Sequence, residues 1–165
     1  MDKKITMDKS IETQNLKALI DNYRKDKSRE NYHQILDKLA EMYNNESSLI
    51  VPGHIYGVDS DGIDMSFVYK IVMANAFMLC FTDDSKPYQG KNKDYTYASI
   101  TVRKIFSLAS GYVDDGCSPF HVSGLVLNDE DGKENVFVCT HEFMEYLKLK
   151  KGCQFNFNKN TNETT

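Results

Sequence analysis

The stretch Met73-Ala-Asn-Ala-Phe-Met-Leu-Cys-Phe-Thr-Asp-Asp84 decides how the rest of the chain must be arranged. Successive side chains of a β-strand point to opposite faces of the sheet. The two alternating sets here are both mostly apolar: Phe77, Leu79 and Phe81 on one face, and Met78, Cys80 and Thr82 on the other. The stretch therefore predicts an inner strand covered on both sides, which leaves the core where the chain turns polar at Asp83.

Helical periodicity comes before this strand. One apolar set repeats at i, i+3, i+4 and i+7: Leu16, Leu19, Ile20 and Tyr23. It predicts a helix from about Ile11 to Lys25. A second set predicts a helix that Ser28 caps and that runs to about Tyr43: Tyr32, Ile35, Leu36, Leu39 and Tyr43. The first part of the chain is thus predicted to be a helical hairpin.

From residue 49 the apolar period changes from 3.6 to 2. Leu49–Val51 is a short run stopped by Pro52–Gly53, and Asp59–Gly62 is a hairpin turn between two longer arms. We interpret residues 49–82 as successive strands of one meander. Further along, the pattern predicts a helix at 102–109, strands at 122–127 and 136–139, and a last helix from residue 140.

These elements predict an α/β (α+β) fold, with a mostly antiparallel or mixed sheet of five to six strands and helices packed on it. A length of 165 residues favours one domain. We expect residues 1–9 to be a flexible leader, residues 10–153 to form the domain, and the Asn- and Thr-rich residues 154–165 to be a disordered tail.

Composition excludes several classes of function. The net charge of −4 gives no reason to expect nucleic acid, which usually needs a basic surface. No apolar run approaches the ~20 residues of a membrane span, and the charged N-terminus lacks the apolar core of a secretory signal. We therefore expect a cytoplasmic protein that does not bind membranes, with its four cysteines as free thiols.

No metal or cofactor site is predicted. The segment Asp59-Ser-Asp-Gly-Ile-Asp64 places Gly62 too early for a calcium loop of the EF-hand type, and Lys70 stands where the last ligand would be. Four residues have some resemblance to a zinc ligand set: Cys117, His121, Cys139 and His141. A Cys-x-His spacing within a strand chelates poorly, so we expect two small core cysteines instead.

A catalytic alternative stays open. The same cysteines and histidines could form a nucleophilic pair, and the loop carboxylates could serve as general acid and base. The sequence contains neither a GxSxG motif nor a glycine-rich phosphate loop. No catalytic residue is therefore named, and a hydrolase that uses these groups remains the alternative function.

Two pairs of carboxylates are the candidate binding residues. Asp83 and Asp84 follow the organising strand, and Asp114 and Asp115 follow the third helix. We expect the connection back to the sheet to bring the two pairs together. Strand ends are common binding places, so the combined acidic residues are a candidate binding face. Such an acidic face would suit a protein partner with a basic surface.

Several segments, in this order, resemble the SseB N-terminal domain family (enhanced serine sensitivity): Leu49-Ile-Val-Pro-Gly53, Phe81-Thr-Asp83, Ile105-Phe-Ser-Leu-Ala109 and Val122-Ser-Gly-Leu-Val-Leu-Asn128, followed by a capped helix. The resemblance covers roughly residues 14–150. Asp83 replaces a serine and Asp129 a proline of the family pattern. The resemblance implies a fold and no known chemistry. We therefore expect a small interaction or regulatory module without catalysis.

Overall fold

The computed structural model describes residues 2–59, 62–83, 95–114, 119–130 and 133–150, with side chains at 11–54, 65–83, 95–111, 121–130 and 133–150. Within these ranges the chain forms four helices and eight strands. They make a mixed α+β fold with a helical hairpin at its N-terminus and helices packed on the sheet. The predicted fold class is confirmed.

The helical hairpin consists of α1 (Asp2–Lys25) and α2 (Arg29–Asn44). The Ser28 hydroxyl caps α2 by accepting the backbone N–H of Asn31 at 3.1 Å, as predicted. Helix α1 begins at Asp2 instead of Ile11, so it is longer than the apolar period predicted. The physical reason is that residues 2–10 contain neither glycine nor proline to end a helix.

Two shorter helices follow. Helix α3 (Val102–Leu108) begins at the cap Thr101, whose hydroxyl accepts the Lys104 backbone N–H at 3.2 Å. Helix α4 spans residues 140–150. Phe106 of α3 stacks on Phe143 of α4 with ring centroids 4.0 Å apart, so the two helices share one core.

The strands form two sheets. Their bounds are β1 (Ser48–Asp59), β2 (Gly62–Phe67), β3 (Tyr69–Val72), β4 (Asn75–Cys80), β5 (Thr96–Thr101), β6 (Tyr112–Asp114), β7 (Pro119–Leu127) and β8 (Val136–Cys139). One sheet has the order β2-β1-β5, and the other has the order β3-β4-β7, with β6 and β8 both paired to β7. Strands β4 and β7 are parallel, and the other pairs are antiparallel.

The predicted single meander over residues 49–82 is wrong in one respect. The strand expected from Ile63 to Val72 is interrupted at Val68, so β2 pairs with β1 whereas β3 pairs with β4. Two backbone hydrogen bonds between Ile50 and Phe81, of 2.8 and 2.7 Å, connect the sheets. The apolar period alone does not reveal the interruption, because the pattern of alternation continues across it.

Pro52 and Gly53 lie inside β1, although the sequence suggested that they end a strand. The N–H and C=O groups of successive residues point to alternate edges of a strand. The backbone of Pro52, which has no N–H, therefore faces the same edge as that of Ile50. On that edge the partner of β1 changes from Phe81 to β2. The strand therefore continues without losing a ladder hydrogen bond at this point.

Strand β4 is buried on both faces, as predicted. Met78 and Cys80 belong to the large core under the helices, whereas Leu79 and Phe81 belong to a smaller cluster on the opposite face with Val126. All five are at most 4% exposed. The alternation read from the organising stretch thus corresponds to two separate apolar clusters.

Candidate functional site

The predicted acidic residues lie at different places. Asp83 follows β4, and its carboxylate forms an ion pair of 3.3 Å with Lys17 of α1. Asp114 is the last residue of β6. Asp84 and Asp115 lie outside the described residues. The Asp83 carboxylate is thus already balanced by a cation of the same chain.

The strand register separates Asp83 from Asp114. Asp114 pairs with Pro119 at the start of β7, and His121 pairs with Asn75 at the start of β4. Asp83 follows the opposite, carboxyl end of β4, eight residues beyond Asn75, which is roughly 26 Å of extended chain at about 3.3 Å per residue. We expected Asp83 and Asp114 to lie close together. That expectation is wrong, because β6 is antiparallel to β7 and its last residue, Asp114, lies at the amino end of the parallel β4–β7 pair.

The carboxyl ends of β4 and β7 are joined by side-chain hydrogen bonds. The Asn128 amide oxygen accepts the Thr82 backbone N–H at 2.8 Å, and its NH2 donates to the Thr82 hydroxyl at 3.0 Å. Arg24 of α1 donates to the Asn128 backbone oxygen at 2.6 Å and to the Glu134 backbone oxygen at 3.0 Å. Asn128 and Thr82 are buried.

This network has a structural role. Asn128 adopts a positive φ of 49°, which asparagine tolerates better than most residues, and its amide oxygen satisfies the buried backbone N–H of Thr82 at the end of β4. Arg24 fastens α1 over that edge. Arg24 was not predicted from the sequence, because its contacts join residues 104 and 110 positions apart in the chain. Thr82 and Asn128 do belong to segments that resemble the SseB domain, which was the available signal.

The cysteines give no support to a nucleophile. Burial raises the pKa of the Cys80 thiol. Cys139, the last residue of β8, is exposed, so the expectation that it is a core residue is wrong, whereas Cys80 is buried as expected. Partial burial and the nearby Glu142 carboxylate nevertheless raise the pKa of Cys139, whereas a nucleophilic cysteine needs a lowered pKa. Cys117 lies outside the described residues. In the part of the chain that the structure describes, no three His, Cys, Asp or Glu side chains lie close enough to hold a metal ion.

A polar cluster lies at the amino end of β4 and β7. Ser123 is an extra residue in β7 opposite the Ala76–Phe77 step of β4, which makes a β-bulge. Its hydroxyl donates to the Asn75 side-chain oxygen at 2.8 Å and lies 3.0 Å from His121 Nδ1. The Ser123 proton is directed at Asn75 and not at His121, so the contact does not resemble the serine–base pair of a nucleophilic site.

An apolar tip lies beside this polar cluster. We use the name apolar tip for Ile71, Val72 and Met73, which end β3 and begin the turn into β4. Their exposed fractions are 62%, 36% and 91%. The turn itself is Met73–Ala74, and these residues adopt φ values of 51° and 68°. A left-handed backbone costs roughly 1–2 kcal/mol per residue outside glycine. The turn that holds Met73 outward therefore lowers the free energy of unfolding.

This turn has no clear signature in the sequence. Two-residue hairpins of this hand usually contain Asn-Gly or Asp-Gly, and Met73-Ala74 contains neither. The apolar pattern instead places both residues at the start of the stretch that predicts β4. The exposed tip was therefore found only from the backbone angles and the accessible surface.

The chain matches no family model, and no curated protein or solved structure is significantly similar to it. Among the described helices, none combines the length and apolar character that crossing a bilayer requires.

Proposed function

We propose that this chain is a small protein-interaction module without catalysis, and that the apolar tip is its docking element. One observation carries the proposal: Met73 is 91% exposed and is held at the tip by two left-handed residues that are not glycine. Backbone strain of this kind persists where the surrounding structure enforces it, often at ligand clamps. Methionine is also enriched at protein interfaces, where its flexible side chain fits irregular pockets.

The partner is a protein with an apolar pocket for Met73 and basic groups at the rim. By backbone register Asp114 lies at the same end of the sheet as the tip, because β6 and the start of β4 flank the same part of β7. This placement supports the expected basic surface of the partner. Asp83 is assigned to the fold instead, since Lys17 already pairs with it.

The net charge of −4 supports a protein partner over nucleic acid. Free thiols at Cys80 and Cys139 are consistent with the proposed cytoplasmic location. The Thr82–Asn128 pairing joins two of the segments that resemble the SseB N-terminal domain. It supports a similar domain here, with the same absence of known chemistry.

Site-specific photo-crosslinking in cells tests the proposal. A photoreactive amino acid is placed at position 73, and in a matched control it replaces Leu149, which is 66% exposed on α4. We expect one protein to crosslink from position 73 at near-stoichiometric yield and not from position 149.

The same pair of positions supplies a binding control. The protein identified by crosslinking should no longer co-purify with the Met73→Ser variant, whereas it should still co-purify with the Leu149→Ser variant. Equal crosslinking from both positions, or a complex that survives Met73→Ser, would overturn the proposed docking element.

A further inference from the structure

A second surface, separate from the apolar tip, is a groove between the three-stranded sheet and α3. We call it the α3 groove. Its volume is about 470 Å³, within the range of ~300–1,000 Å³ typical of small-molecule sites. Its lining is mainly apolar, with one hydroxyl and one amine: Met65, Phe67, Ala98, Ile100, Leu108, Ser99 and Lys104.

Strand register explains how the lining forms. Ile100 pairs with Leu49 and Ala98 with Val51, and the β1 members of both pairs are buried in the main core. Paired residues share a face of the sheet, so Ala98 and Ile100 point to the side that α3 covers. The groove is thus a part of the core face that α3 leaves open.

Glycine at position 53 shapes one side of the groove. A Cβ at Gly53 would lie 2.4 Å from the Met65 methyl carbon and 2.2 Å from the Ser66 backbone oxygen. The absence of that Cβ lets Met65 lie flat against β1. The apolar wall therefore depends on a close approach that only glycine permits.

The charge of the groove is the feature that selects a ligand. Lys104 is exposed on α3, and no carboxylate of the described residues lies within 4.0 Å of its amino group. Its neighbour Arg103 is engaged elsewhere, 4.5 Å above the ring of Tyr43. An apolar groove whose rim carries a cation that no described carboxylate pairs with is complementary to a molecule with an apolar chain and one negative end.

We infer that the α3 groove binds a medium-chain carboxylate, with its alkyl chain along Phe67, Ala98 and Ile100 and its carboxylate at Lys104. The alkyl chain supplies the hydrophobic contribution and the amine fixes the orientation. The inference does not depend on the proposed function, because it uses a different surface and a different class of ligand.

Isothermal titration with decanoate, at pH 8 and below its micelle concentration, tests the inference. Decanol is the uncharged ligand of similar length, and decyltrimethylammonium is the cationic one. We expect saturable one-to-one binding of decanoate, weaker binding of decanol, and the weakest binding of the cation. Lys104→Gln should weaken decanoate binding by about three- to tenfold and leave decanol binding unchanged.

Two further variants complete the test. Lys148→Gln makes the same change of charge on α4 and should bind decanoate like the wild type. Ala98→Leu should fill the groove and weaken decanoate and decanol alike, with an unchanged melting curve showing that the variant is folded. Absence of saturable binding, or equal weakening by Lys148→Gln, would overturn the inference. A dimer in sedimentation that Ala98→Leu dissociates would assign the groove to a second copy of the chain and would also overturn it.

Discussion

Met73 and Ala74 show how two residues can oppose the local preference of the chain. Neither side chain favours a positive φ, yet both adopt one in a turn that most proteins build with asparagine and glycine. The pairing of β3 with β4 on one side of the turn and of β4 with β7 beyond it fixes the positions of the strand ends. Met73 and Ala74 therefore adopt an unfavourable backbone conformation because the paired strands on either side of the turn require it.

Ala74→Gly should consequently stabilise the fold. Relief of the left-handed alanine outweighs the added freedom of glycine in the unfolded chain, so we expect a gain of about 0.5–1 kcal/mol in the free energy of unfolding. Urea unfolding followed by circular dichroism measures it. The matched control is Ala40→Gly inside α2, which should lose about 1 kcal/mol or more. A loss at position 74 like that at position 40 would contradict the strain argument.

The sequence largely predicted which side chains are buried, but it did not predict the turn at Met73 or the contacts between distant residues. Alternation alone identified which face Leu79 and Met78 occupy, because a strand offers only two faces. It could not identify the turn at Met73, which carries no turn signature. Nor could it show that Lys17 neutralises Asp83, since that contact joins residues 66 positions apart in the chain.

At the scale of elements, β4 is the strand on which two apolar clusters depend. Leu79 is 1% exposed and joins Phe81 and Val126 in the smaller cluster. Leu79→Ala should lower the free energy of unfolding by about 2–5 kcal/mol, because it leaves a cavity between neighbouring strands. Thermal melting checks the value, and Leu149→Ala on the exposed face of α4 is the control. A melting curve for Leu79→Ala that matches this control would show that the cluster is not central.

Helices α2 and α4 are joined by a polar contact between titratable side chains. Asp37 accepts hydrogen bonds from the Tyr146 hydroxyl and from the Lys150 amino group, the latter at 2.6 Å. Burial raises the pKa of Tyr146 to about 12, and the bond to the Asp37 carboxylate acts in the same direction. The protonated phenol is therefore the form that the folded state favours.

The sign of the pH effect follows from that shift. A tyrosine whose folded pKa exceeds its unfolded value near 10 contributes stability that is fully present below pH ~10 and is lost as pH rises through about 12. We expect Tyr146→Phe to lower the melting temperature at pH 8 and to reduce its fall between pH 10 and 12. Burial also raises the pKa of Tyr32 and Tyr69, so part of the fall should persist. Parallel curves for the two proteins across that range would contradict the assignment.

Helices and strands with a strong repeat of apolar residues were predicted, whereas those without such a repeat were missed. Both helices of the hairpin, α3 and the strands around residues 122–127 and 136–139 were found from their apolar spacing. Strand β5 was missed because Thr96 and Ser99 interrupt its apolar pattern, and β6 has only three residues. A strand of that length holds too little of the pattern to be recognised.

At the scale of the whole molecule, the parallel pair β4 and β7 gives the sheet two unlike ends. The carboxyl end is closed by α1 through Lys17 and Arg24, which bind Asp83 and the Asn128 backbone oxygen. The amino end carries the apolar tip and the polar cluster of His121, Ser123 and Asn75. Sequence reasoning located the binding face at the carboxyl end, because only the strand order reveals that α1 covers that end.

The affinity of the crosslinked partner for three versions of the chain tests the central claim most directly. Isothermal titration would compare the wild type, Met73→Ser at the apolar tip and Leu149→Ser on α4. Truncation of an anchoring side chain typically costs about 2 kcal/mol or more, so we predict that Met73→Ser raises the Kd at least tenfold. Leu149→Ser should leave the Kd unchanged. A Kd for Met73→Ser equal to that of the wild type, with both proteins folded, would contradict the claim that the tip is the docking element.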